Sequence, residues 1–159
     1  IWRRYLTLRT EITLKISGDL NELKGVRDAV RAFLDSTKHI DIGEDVNAGL
    51  DSVAQSRIIL AIDEAVANIV EHGFADDSAL ANAQIQLTMR KEPRLVEFEI
   101  CDNGMPFNPL EKKPDTELYY EEGLENGLGL LALQTLDCSY RRSEQQQNIL
   151  VLRREWGKK

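Results

Sequence analysis

The chain has 159 residues, of which 42% are hydrophobic and 30% are charged, and its formal net charge is −7. This length and composition predict a single globular domain over residues 1–159 and exclude the disordered and fibrous classes of protein. The acidic balance argues against a nucleic-acid partner, and the longest apolar run, residues 128–133, is far shorter than a membrane-spanning helix requires.

The cysteines give no sign of a disulfide framework or of a zinc site. Cys101 and Cys138 lie far apart in the sequence and form no Cys-x-x-Cys motif. The chain does not open on a basic segment followed by an apolar one, so no secretory signal is expected. A reducing, cytoplasmic environment is therefore the expectation.

The N-terminal third of the chain predicts one strand and one helix. Apolar and polar residues alternate over residues 6–16, and this period of two is typical of a half-buried strand. Apolar residues then recur at helical spacing over residues 20–37, and Asp19 can cap that helix. Residues 38–50 show no period and are predicted to form a loop.

The middle of the chain predicts a long helix followed by a β-hairpin. Ser52 and Gln55 have the spacing of a capping box, which predicts the first turn of the helix, and Gly73 predicts its end. Two runs of alternating polarity, residues 84–90 and 94–102, then predict the paired strands of the hairpin.

The C-terminal third predicts a long loop, a helix and a second hairpin. Residues 103–126 contain three prolines and no clear period, and a loop of that length is typical either of a lid or of a segment whose secondary structure the pattern misses. A short buried helix is predicted over residues 127–137, and a hairpin over residues 139–142 and 148–155. Together the elements predict an α+β fold, a two-layer sandwich of helices over a mostly antiparallel mixed sheet.

The first candidate site lies on the polar face of the long helix. Glu64 and Asn68 share this face because they are four residues apart. A solvated surface is the ordinary interpretation of such a pair. However, Asn is a poor residue for a helix interior, and the neighbouring Ala61 and Ala65 leave room for a ligand to approach the backbone.

The second candidate site is the segment at residues 102–107, where a strand ends. The carboxylate of Asp102 can only accept hydrogen bonds, and adenine offers an amine donor where guanine offers a carbonyl. Gly104 has no side chain, so a flat ring could lie against its backbone, and Pro106 would stiffen the turn. The alternative is an ordinary Asp-Asn-Gly turn after a strand.

The third candidate site is Gly127-Leu128-Gly129-Leu130 at the start of a predicted helix. The free amides and the positive end of the helix dipole would favour a phosphate there. The alternative is that the glycines only permit close packing, because the segment matches neither the dinucleotide fingerprint nor the Walker motif.

The order and spacing of these sites resemble a known superfamily. Glu64-x-x-x-Asn68, Asp102-x-Gly104-x-Pro106-Phe107 and Gly127-x-Gly129-Leu130 are similar to the N, G1 and G2 boxes of the ATPases that include gyrase and histidine kinases. Within it, the Pro-Phe pair, the helix text IDEAVANIVEHGF and the ending LDCSYRR…NILVLRRE resemble the anti-sigma-factor serine/threonine kinases. The resemblance implies the histidine-kinase-like ATPase fold, with ATP and Mg²⁺ as cofactors.

The resemblance also implies a role for each matched residue. Asn68 would coordinate Mg²⁺, and Glu64 would orient or deprotonate the hydroxyl or water that attacks the phosphate. Asp102 and Gly104 would hold adenine, and a lid over residues 108–126 would close on the phosphates. The other nucleotide-binding positions that the motifs imply are Phe107, Gly127, Leu128, Gly129 and Leu130.

Three functions follow as hypotheses. The first is a protein kinase that binds a sigma factor, phosphorylates its anti-anti-sigma antagonist and acts as a homodimer, as the resemblance implies. The second is an ATP-binding module that switches partners without transferring phosphate. The third is the catalytic half of a histidine kinase, although neither His39 nor His72 has the setting of an acceptor histidine.

Overall fold

The structure, a computed structural model, describes residues 10–36, 50–111 and 125–156. The predicted strand residues before Thr10, most of the predicted loop over residues 38–50 and residues 112–124 of the predicted lid lie outside this range. Within it the elements are, in chain order, β1 (Thr10–Ile16), a 3-10 turn (Leu20–Glu22), α1 (Leu23–Asp35), α2 (Ser52–His72), α3 (Asp77–Ala81), β2 (Ile85–Glu92), β3 (Leu95–Asp102), α4 (Glu125–Thr135), β4 (Asp137–Arg142) and β5 (Asn148–Glu155).

The strands form one sheet in the order β1-β2-β3-β5-β4, and every pairing among the described residues is antiparallel. Because side chains alternate across a strand, one face of this sheet is mostly apolar and the other is mostly polar. The helices pack on the apolar face, which confirms the predicted two-layer α+β fold.

The core lies between the sheet and the helices. Phe98 on the central strand β3 is 1% exposed, and its ring meets that of Phe33 on α1 edge to face, with centroids 5.9 Å apart. Fully burying an apolar side chain of this kind contributes about 1.5–3 kcal/mol. The other large side chains that are fully buried among the described residues include Val30, Leu34, Ile58, Ile62, Val66, Ile85, Leu87, Met89, Ile100, Leu133 and Leu152.

The start of α2 differs from the prediction, and its end agrees with it. The N-cap is Asp51, not Ser52, because the Asp51 carboxylate accepts a 2.8 Å hydrogen bond from the Ala54 N–H. The Gln55 side chain, predicted to complete a capping box, instead donates to the Leu50 carbonyl. The helix ends at Gly73 as predicted, where the glycine N–H donates to the Ile69 carbonyl.

Other element boundaries also differ from the prediction. Asp19 caps the 3-10 turn that precedes α1, and the sequence pattern did not separate the two. The short helix α3 was not predicted, although Asp76 caps it by accepting from the Ala79 N–H. Helix α4 begins at Glu125, two residues earlier than predicted, and ends at Thr135. No helix in the described ranges is both long enough and apolar enough to cross a membrane.

Candidate functional site

The polar face of α2 holds Glu64 and Asn68 in direct contact. The Asn68 amide is 6% exposed and donates from Nδ2 to Oε1 of Glu64 over 3.0 Å. A carboxylate can only accept, so this contact fixes which way the amide points. Oδ1 of Asn68 has no hydrogen bond from the described residues, and an amide oxygen is a ligand that suits Mg²⁺. The residues present therefore fit a magnesium ion.

Helix α4 lies directly against this pair. A Cβ added to Gly129 would be 2.5 Å from Cβ of Glu64 and 2.8 Å from its Oε2, so only glycine allows the helices to approach this closely. Gly127 is the third residue of α4 and Gly129 the fifth. Only the first turn of a helix has unpaired N–H groups, and Gly127 lies in that turn, whereas Gly129 lies beyond it and packs on Glu64.

Asp102 ends β3 on the helix-covered face of the sheet, where it is 3% exposed. Its Oδ1 accepts from the Gly104 N–H over 2.8 Å and from Nδ2 of Asn148 over 2.9 Å. Burial raises the pKa of this carboxyl, and these hydrogen bonds and the nearby Arg142 partly oppose that shift. Oδ2 accepts no hydrogen bond from the described residues, so it can meet an external donor.

The turn after Asp102 is tied to the end of α2. The Met105 N–H donates to the Gly73 carbonyl over 2.7 Å. A Cβ added to Gly104 would lie 2.6 Å from that same carbonyl oxygen, so a side chain there would push the turn away from the helix. Because α2 also carries Asn68, this contact joins the second candidate site to the first.

The remaining predicted residues lie near these groups or further along the same helices. Phe107 is half-buried just after the turn. Leu128 and Leu130 lie on the same helix as the glycines. His72 is exposed at the end of α2, with its Nε2 3.7 Å from the Glu71 carboxylate.

Three side chains around Asp102 were missed by the sequence analysis. Asn148 is 5% exposed, and besides Asp102 its Nδ2 reaches the Met105 carbonyl at 2.8 Å. Its Oδ1 accepts from the Tyr140 hydroxyl over 2.7 Å and from the Arg142 guanidinium over 2.9 Å. The sequence showed only that Asp102 ends one predicted strand and that Asn148 begins another; the sheet makes the two residues register partners.

These features define a nucleotide-binding α+β domain, in which a buried carboxylate at a strand end keeps one oxygen for a ligand and an amide oxygen lies beside a glutamate on one helix. A family model of the histidine kinase-like ATPase domain matches residues 16–154. The chain belongs to this family, and it is an ATP-binding domain. No curated protein sequence matches the chain.

Proposed function

We propose that the chain is an ATP- and Mg²⁺-dependent protein serine/threonine kinase of the anti-sigma-factor type. The observation that carries the proposal is the Glu64–Asn68 pair, in which the amide is oriented by the glutamate and keeps its oxygen for a metal. The Glu64 carboxylate, which lies within hydrogen-bond distance of that amide, can also take the proton of the hydroxyl that attacks the phosphate. The family membership is consistent with this chemistry.

The proposed reaction gives each of these groups a role. Asp102 would accept a hydrogen bond from the adenine amine at Oδ2, and Oδ1 of Asn68 would hold Mg²⁺, which would neutralise phosphate charge. Glu64 accepts the proton of the attacking hydroxyl as that oxygen bonds to the γ-phosphorus, and the bond from this phosphorus to the β,γ-bridging oxygen breaks to release ADP. The N–H groups of the first turn of α4, including that of Gly127, would bind the phosphates.

A second candidate function rests on the residue between the two glycines. Leu128 stands where many members of the superfamily have arginine, so this chain has no cation there for the transferring phosphate. That substitution favours an ATP-binding module that switches partners without transferring phosphate. Incubation with labelled ATP and a candidate antagonist separates the two functions, and acid stability of the product separates serine phosphate from the histidine phosphate of a histidine kinase.

The proposed partners are a sigma factor, an anti-anti-sigma antagonist and a second copy of the chain, acting in the cytoplasm. A net charge of −7 favours association with a basic protein surface. Light scattering at rising concentration tests the homodimer, and pull-down of the sigma factor with ATP against ADP tests the partner. A monomer without a nucleotide-dependent partner would contradict this part of the proposal.

The nucleotide assignment is tested by calorimetry with ATP and GTP in the presence of Mg²⁺. Asp102 would place an acceptor against the guanine carbonyl, and a buried unpaired acceptor costs about 1–3 kcal/mol, so we expect a preference for ATP of about tenfold or more. Equal affinities would contradict the role of Asp102.

The matched variant is Asp102→Asn. Its amide oxygen would replace Oδ1 as the acceptor for Gly104 and Asn148, so its NH₂ group would face the base. We expect the preference for ATP to disappear or to reverse.

A further inference from the structure

We propose that Asn148 is a positioning residue that sets the nucleotide specificity of the site by fixing the orientation and charge of the Asp102 carboxylate. This inference rests on the proposed role of Asp102 in binding adenine and extends it to side chains on β4 and β5. Asn148 touches the carboxylate, and no step of the reaction requires it to touch ATP.

The geometry gives the Asn148 amide one orientation. Its Nδ2 faces three acceptors, namely Oδ1 of Asp102 at 2.9 Å and the main-chain carbonyls of Gly104 and Met105 at 3.4 and 2.8 Å. Its Oδ1 faces two donors, the Tyr140 hydroxyl and the Arg142 guanidinium. A flipped amide would set donor against donor and acceptor against acceptor, so the network excludes it.

This orientation determines which oxygen of Asp102 is presented to a ligand. Asn148 and the Gly104 N–H both occupy Oδ1, so Oδ2 remains as the acceptor. Both hydrogen bonds also favour the ionised carboxylate, against burial, which raises the pKa of Asp102. Without the Asn148 donor the carboxylate would be less oriented and more readily protonated, and a neutral carboxyl is a weaker acceptor for the adenine amine.

Within residues 10–36, 50–111 and 125–156, few groups face Asp102 from neighbouring elements. Among them Arg142 on β4 is the charged side chain that acts on the carboxylate, and it lowers its pKa. Strand β2 presents the apolar Ile85 in register, and α2 meets the turn through the main chain of Gly73. The uncharged Asn148 and Tyr140 complete the surroundings. Among the described residues, a change at position 148 therefore acts on a carboxylate with one nearby cation, Arg142.

The decisive variant is Asn148→Asp, which keeps the shape of the side chain and replaces the donor with a second carboxylate. Tyr140 and Arg142 would stabilise the charge at position 148, so the shared proton would reside on Asp102. We expect ATP affinity at neutral pH to fall about tenfold, GTP affinity to change less, and the ATP:GTP ratio to shrink. The pH below which ATP binding is lost should rise by about one unit or more.

Two further variants complete the experiment. Gln145→Glu adds the same charge in the exposed turn between β4 and β5, and we expect it to leave both the ATP:GTP ratio and the pH profile unchanged. Tyr140→Phe removes one donor to Asn148 and leaves the ring in place, so we expect a smaller change in the same direction as in Asn148→Asp. If Asn148→Asp is not folded, as judged by the absence of a cooperative thermal transition, the ATP:GTP ratio and pH profile of Tyr140→Phe test the positioning role instead.

The titration of the Asp102 carboxyl, followed by NMR without nucleotide, separates this inference from the proposed function. A higher pKa of Asp102 in Asn148→Asp than in the wild type would support the positioning role even if the chain bound ATP and GTP equally. If the variant is folded and has an unchanged carboxyl titration and an unchanged ATP:GTP ratio, the positioning role is overturned and the assignment of Asp102 still stands.

Discussion

The Asp102 side of the site is held by hydrogen bonds that cross the sheet, whereas the Glu64 side is held by the contact of two helices. Asp102 is fixed by Asn148, its partner in the register of β3 and β5, and by the N–H of its own turn. On the other side, one side-chain hydrogen bond orients Asn68, and the packing of Gly129 on Glu64 sets the spacing of α2 and α4.

This difference separates two tasks that a nucleotide site has to perform. Discriminating adenine from guanine requires one acceptor in one place, and a buried network on a sheet provides it. Binding phosphates and Mg²⁺ requires several oxygens and N–H groups to converge, and the spacing of two helices determines whether they do. Substitutions on the two sides should therefore have different consequences.

The largest effect is expected on the helix side, where Asn68→Ala removes the proposed metal ligand. We expect it to abolish Mg²⁺-dependent nucleotide binding. Glu64→Gln keeps an oxygen that can accept from Asn68, so we expect nearly normal binding, with phosphoryl transfer slowed by about 10²–10⁴-fold because the base is lost. Calorimetry with and without Mg²⁺, together with transfer assays, measures the contrast.

A variant of Asp102, on the sheet side of the site, is the control for the two helix variants. Asp102→Asn should change the choice of base and leave the dependence on Mg²⁺ intact. If Asn68→Ala and Glu64→Gln both left affinity and transfer unchanged, the part-buried Glu64–Asn68 pair would serve only the packing of α2 and α4.

The sequence predicted the sheet and the long helix because their signals are local. Alternation of polarity marked β2, β3 and β5, and Gly73 marked the end of α2. The cap of α2 was misassigned because Asp51 and Ser52 are both good N-cap residues, and only the backbone angles decide between them. Helix α3 was missed because five residues are too few to show a helical period.

The candidate site was predicted only in part, for a related reason. The spacing of Glu64 and Asn68 is a local property of one helix, so the sequence could place them together. The contact of Asp102 with Asn148 spans 46 residues and depends on which strands pair, and a single sequence does not determine that. The packing of Gly129 on Glu64 depends in the same way on how two helices meet.

A smaller effect, this time on stability, is expected from placing a methyl group at the two close contacts of the site. Gly104→Ala would bring Cβ to 2.6 Å from the Gly73 carbonyl oxygen, and we expect it to lower the free energy of unfolding by about 1–3 kcal/mol. Gly129→Ala meets Cβ of Glu64 at 2.5 Å, but alanine also favours a helix over glycine by about 1 kcal/mol, so its net cost should be smaller. Urea unfolding measures both.

Nucleotide binding should distinguish these two variants more clearly than stability does, because each variant should change a different property of binding. Gly104→Ala displaces the turn that follows Asp102, so we expect the ATP:GTP ratio to shrink. Gly129→Ala separates α4 from α2, so we expect weaker binding of both nucleotides in the presence of Mg²⁺ with the ratio unchanged. Identical changes in both variants would mean that the two sides of the site are not separable.

The smallest effect is expected from Gly25→Ala. This variant also serves as a reference for the gain in helix propensity when a glycine in a helix is replaced by alanine. Gly25 lies within α1, and a Cβ there would have no atom within 4 Å, so the substitution adds helix propensity without a clash. We expect the free energy of unfolding to rise by about 0.5–1 kcal/mol and nucleotide binding to stay the same, as measured by urea unfolding and calorimetry. Subtracting this gain from the result for Gly129→Ala isolates the cost of pressing a methyl group onto Glu64. If Gly25→Ala destabilised the chain as much as Gly129→Ala, the loss at Gly129 could not be attributed to the contact of α4 with α2.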